Sequence, residues 1–86
     1  MMSNLVDLIN AGSIIAGEEL IWKRRAEEQA HIAVVNLDGS ISTSDGMKHR
    51  TPSGAARHLN GGKPVDGWLT WKLKRTGKSI SSLRNV

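Results

Sequence analysis

The chain has 86 residues, 38% of them hydrophobic, with three Trp and no Phe, Tyr or Cys. That length leaves room for one core, so a single domain over residues 1–86 is expected, and the lack of Cys excludes disulfides, thiolate nucleophiles and thiolate-bound metal centres. Twelve Lys and Arg against eight Asp and Glu give a formal charge of +4.

That charge is uneven. After Asp45 stand Lys48, Arg50, Arg57, Lys63, Lys72, Lys74, Arg75, Lys78 and Arg84, opposed only by Asp66. A basic half of this kind favours polyanions, of which nucleic acid is the commonest. The three His (His31, His49, His58) show no i, i+4 pairing and no carboxylate cluster near them in sequence, so neither a metal nor a cofactor is expected. No apolar run approaches the ~18 residues of a membrane span. Asp7 interrupts the first apolar stretch and no basic leader precedes it, which argues against a signal peptide. A cytoplasmic protein without a membrane partner is the expectation.

In chain order, Ser3 is a candidate N-cap for a helix whose apolar face is Leu5, Val6, Leu8 and Ile9, with Gly12 ending it. Residues 13–17 read as a compact turn that tucks either Ile14 or Ile15 inward. The segment 19–25 alternates as a strand, with Leu20 and Trp22 on one face and Ile21, Lys23 and Arg25 on the other. Lys23-Arg24-Arg25 reads as a charged edge that resists edge-to-edge pairing. Glu27-Glu28-Gln29 is a polar connection to the β-branched run Ala30 to Leu37, a second strand. Asp38-Gly39 is a two-residue hairpin signal, with Ile41 and Thr43 on the returning strand; Asp45-Gly46 repeats the signal ahead of a short strand, Met47 to Arg50. Residues 19–50 therefore read as an antiparallel meander.

Thr51-Pro52-Ser53 opens a helix: Thr51 can cap it, and Pro52 costs nothing at the first helical position. Ala55, Ala56 and Leu59 give it a narrow apolar stripe, and Gly61 stops it after Asn60. A helix start beside Ser53, with Lys48 and Arg50 upstream, suits an anion such as phosphate, although it serves equally as a capped end facing water. Trp68 to Lys74 alternates as a strand that puts Leu69, Trp71 and Leu73 on one face and Trp68 with the basic face. Trp68 beside Lys72 and Lys74 has the make-up of a base-stacking platform. Both Trp68 and Trp71 also have a claim on the core, because no Phe or Tyr competes for it. Ser79 can cap a short last helix that buries Ile80 and Leu83. The fold class that follows is α+β: an antiparallel meander with an N-terminal helix, a central helix packed on the sheet, a late strand and a short C-terminal helix.

Catalytic groupings are missing. Glu18-Glu19 and Glu27-Glu28 are adjacent pairs that diverge on a strand, and there is no Ser-His-Asp set, phosphate-cradling Gly-Lys loop or acidic metal site. A non-enzyme with no small-molecule substrate is expected.

The order of elements resembles a known family. An apolar helix ending Ala11-Gly12, then Gly17-Glu18-Glu19-Leu20 and Asp38-Gly39, lead to Thr51-Pro52-Ser53-Gly54-Ala55-Ala56, Asp66-Gly67-Trp68-Leu69-Thr70-Trp71 and Ser79-Ile80-Ser81-Ser82-Leu83-Arg84. This is similar to the RAMA (restriction enzyme and adenine methylase associated) domain over nearly the whole chain. Asp66 stands where that family usually has Asn, and His49-Arg50 where an aromatic or apolar residue is common. The resemblance implies a bacterial or phage module in a DNA-modification or restriction context, reading DNA, with adenine-methylated DNA one candidate form. Under it the candidate nucleic-acid-binding residues are Lys48, Arg50, Thr51, Ser53, Arg57, Lys63, Trp68, Lys72 and Lys74. The alternative is an adaptor that docks on a restriction or methyltransferase protein.

Overall fold

The computed structural model describes residues 4–23 and 30–84. Its elements are helix α1 (Leu5–Asn10), strands β1 (Glu19–Trp22), β2 (His31–Val35), β3 (Ile41–Thr43) and β4 (Lys48–His49), helices α2 (Pro52–Leu59) and α3 (Gly67–Thr70), strand β5 (Lys72–Leu73) and a 3-10 turn (Ile80–Arg84). The five strands form one antiparallel sheet in the order β4-β3-β2-β1-β5. The expected α+β class and meander are therefore present. The late strand enters the sheet beside β1, with Leu73 opposite Leu20.

Side-chain alternation decides which face of the sheet is covered. Leu20 and Trp22, Ala33 and Val35, and Ile41 and Thr43 are the buried members of their strands. Against them pack Leu5 and Leu8 of α1, Ala55 and Ala56 of α2, Ile14, Trp71, Leu73 and Ile80. The small side chains of α2 let it lie close on β3 and β4. Trp71 is fully buried and meets Trp22 edge-on at 5.8 Å between ring centroids. Of the two Ile that competed for the interior, Ile14 is buried and Ile15 is 67% exposed.

Four local readings are corrected. Asn4 caps α1, exchanging hydrogen bonds with Asp7 in a capping box, and Ser3 lies outside the described residues. Strand β1 ends at Trp22 rather than continuing to residue 25; Lys23 is exposed, while Arg24, Arg25 and Glu27-Glu28-Gln29 fall outside the described residues. Both Asp-Gly hairpins close with three-residue loops, 37–39 and 44–46, because Asn36 N–H donates to Ser40 O and Thr43 N–H to Met47 O. Gly39 and Gly46 take the left-handed last position at φ 86° and 87°. Finally, the stretch 67–70 is helical instead of extended. Asp66 caps that turn by accepting the Trp68 N–H at 3.0 Å, and Trp71 N–H donates to Gly67 O at 3.0 Å. Strand structure resumes only at Lys72. Among the described residues no helix is long and apolar enough to cross a membrane.

Candidate functional site

The start of α2 is built as its sequence suggests, and then partly closed. Thr51 is extended (φ −135°, ψ 155°), and its hydroxyl accepts the Gly54 N–H at 2.9 Å. The Ser53 hydroxyl is also engaged: it accepts the Gly67 N–H at 3.0 Å. Trp71 donates its indole N–H to Pro52 O at 3.1 Å. Gly67 presses so closely on this helix start that a Cβ there would lie 2.1 Å from Pro52 O and 2.5 Å from Ser53 N. One flank of the helix start is thus sealed by α3. The helix start, read from the sequence as exposing N–H donors beside Ser53, is therefore covered on the side where Gly67 lies.

Two grooves remain beside it. The larger, about 370 Å³, runs between the start of α1, the 37–39 turn and the 50–52 segment, with Arg50, Trp68 and Arg84 on its walls. The smaller, about 330 Å³, is lined by Thr51, Ser53, Gly54, Arg57, Pro64 and Val65. Thr51 borders both. Arg50, Thr51, Ser53, Arg57 and Trp68 therefore gather around the start of α2, and exposed Lys63 immediately precedes Pro64 in the loop beside the smaller groove.

The remaining cations are placed differently. Lys48 is paired with Asp38 at 3.2 Å, both side chains well exposed. Asp38 lines the larger groove, and its carboxyl is held down at about pKa 2, chiefly by the Ser40 hydroxyl and backbone N–H and further by Lys48. Lys74 pairs with Glu19 at 3.4 Å on the wall of a separate groove of about 590 Å³, alongside Arg75, which pairs with Glu18. Lys72 is exposed on β5, whose backbone pairs with Ile21 and bridges to Ser79. Lys72 and Lys74 line neither groove at the helix start.

Trp68 is consequently not the partner of Lys72 and Lys74 that a strand would have made it. On a helical turn it packs half-buried against the core, and the Arg84 guanidinium lies 3.9 Å from its ring centroid. Arg84 is the site residue that sequence spacing missed. Its only signal was the closing Leu-Arg of the family pattern; the 3-10 turn, which packs on α3, brings it to Trp68.

A second grouping was also hidden by sequence distance. His49 on β4 and His58 on α2 lie 4.9 Å apart between ring centroids, and His58 Nε2 is 2.5 Å from Asp45 Oδ2. Asp45 is held well below the ordinary carboxylate range by the Thr43 hydroxyl, His58 and the Met47 N–H. His49 is pushed below 6.5 by burial and by the charge of His58. A single carboxylate, Asp45, thus reaches His58 of the pair from thirteen residues away in sequence. Among the described residues, no group of three such side chains is placed to hold a metal ion.

The paired features of this site, a Thr-Pro-Ser helix start sealed by a Gly-Trp turn and a terminal Arg laid on that Trp, are the same residues that carried the family resemblance. No curated protein matches the chain. Residues 3–86 match the family described as Restriction Enzyme Adenine Methylase Associated (RAMA), and because that match spans almost every residue, the chain belongs to the RAMA family.

Proposed function

We propose that this protein is a non-catalytic DNA-binding module of a bacterial or phage restriction or DNA-modification system, acting in the cytoplasm. The observation that carries the reading is the convergence of Arg50, Arg84 and Trp68 on one groove beside the start of α2, with Arg57 and Ser53 on the adjoining groove. Guanidinium groups suit phosphate oxygens because their donors form a planar fork. Such contacts would set the module's position on a duplex without selecting a sequence. The Trp68 ring, with the Arg84 guanidinium 3.9 Å from its centroid, would offer a polarised surface to a base at the groove. Whether adenine methylation changes that contact is the finer part of the proposal.

The test is binding to plain duplex, adenine-methylated duplex and single-stranded DNA across a salt series. A phosphate-gripping module gives an affinity that falls with salt, and replacing both Arg50 and Arg84 by Ala lowers the slope by about 2, roughly one per lost phosphate contact. Tighter binding to the methylated duplex supports the sensing role. Absence of binding to every form at low salt overturns the DNA reading.

The second reading is an adaptor that docks on a restriction or methyltransferase protein. It is favoured by the groove of about 590 Å³, where exposed Ile15 sits beside Lys74 and Arg75, whose charges are already matched by Glu19 and Glu18. A neutralised, partly apolar rim suits protein better than phosphate.

A further inference from the structure

The docking of α2 on the sheet passes through one carboxylate that serves two imidazoles. Asp45, in the turn between β3 and β4, receives the Thr43 hydroxyl on Oδ1 and approaches His58 Nε2 with Oδ2 at 2.5 Å. With the Thr43 proton committed to Asp45, the Thr43 oxygen is left to accept from His49 Nε2, 3.4 Å away. His49 from β4 and His58 from α2 therefore reach the same negative charge by two routes, one direct and one through a hydroxyl. Their rings lie 4.9 Å apart at 39°.

Among the described residues of the elements packed here, no other negative charge stands ready to balance a second proton. β4 packs against β3 and α2. β3 consists of Ile41, Ser42 and Thr43 and contributes no ionisable group. From α2 come His58 and its neighbour Arg57, whose Nε donates to Gly62 O at 2.9 Å and which adds only positive charge. On β4 itself, Lys48 is paired with Asp38. Asp45 is the single acid of the group, and it stays ionised because three donors hold it so.

We propose that the Asp45-centred imidazole pair is a pH-sensitive latch between the β3–β4 hairpin and α2, closed while the two rings share one positive charge or none and loosened when both are charged. Two imidazolium rings this close repel, and one carboxylate can offset only one of them. Burial of His49 acts in the same direction, since it disfavours the charged ring. The sign follows. The folded chain binds a proton at His49 less readily than the unfolded chain does, so stability is full above the ordinary imidazole value of 6.5 and declines as pH falls below it.

The experiment is a pair of titrations on the intact chain between pH 8 and pH 5: imidazole NMR shifts, and thermal unfolding of wild type and His49→Gln. The latch predicts that His49 titrates below 6.5. It also predicts that the wild-type midpoint drops by several degrees more than that of His49→Gln over this range. Equal pH dependence in wild type and His49→Gln, or a His49 ring that titrates at or above 6.5, overturns it. Should His49→Gln fail to fold, His58→Gln decides the matter. Removing the like charge raises the His49 titration if the pair is coupled, and an unmoved titration rejects the latch.

Discussion

Trp71 and Trp68 lie three residues apart, at the cap and on the body of one short helix, yet they belong to two different kinds of structure. Trp71 points into the seam between α3 and α2, where its ring is fully buried and its N–H is spent on Pro52 O. Trp68 turns toward the groove, half-buried, with the cationic side chain of Arg84 as its cover. The seam is made of backbone against backbone at Gly67 and tolerates no added atom. The groove is made of side chains that can be exchanged one at a time. The difference separates what holds the helix start in place from what that start can present to a ligand.

Breaking the seam should cost most. Trp71→Ala removes a buried indole and leaves Pro52 O without its donor, and is expected to destabilise the fold by about 3–5 kcal/mol, read from chemical denaturation. Gly67→Ala comes next. The obstruction is steric rather than a matter of backbone angle, because the new methyl would overlap Pro52 O, and about 3 kcal/mol is expected, at the upper end for overpacking. Thr51→Ala leaves the Gly54 N–H without its acceptor and should cost about 1 kcal/mol, with the midpoint of thermal unfolding as the readout.

The groove should answer in the opposite way. Arg84→Ala removes a cation–π contact and is expected to lower stability by only about 0.5–1 kcal/mol while measurably weakening DNA binding in the salt series. A large stability loss from Arg84→Ala, or a small one from Gly67→Ala, would erase the distinction between the two regions.

Much of this architecture is readable along the chain because its causes are local. Thr51 and Pro52 announce a helix through groups that are satisfied within one turn, and Asp-Gly at 38–39 and 45–46 announces reversals through a glycine in the left-handed region. Alternation in β1 to β3 marks the face that will be covered. The same local reasoning failed at 67–70. There an alternating pattern that reads as strand folds as a helical turn, because Asp66 caps it and Gly67 must lie flat against α2. Both partners of that decision, Pro52 and Ser53, are some fifteen residues away in sequence.

What the sequence determined by itself, then, was the α+β class, the order of elements apart from α3, the core side of β1 to β3 and a capped helix at residue 52, since each depends on hydrogen bonds and side-chain periods spanning only a few residues. Tertiary structure alone decided that Ser53 is spent on Gly67, that Lys74 answers Glu19 rather than joining the groove, that Arg84 lies over Trp68, and that His49 and His58 meet at Asp45. The reason is physical: a charge or a ring is indifferent to which residue supplies its partner, so its company is settled by close packing between distant segments and not by spacing along the chain.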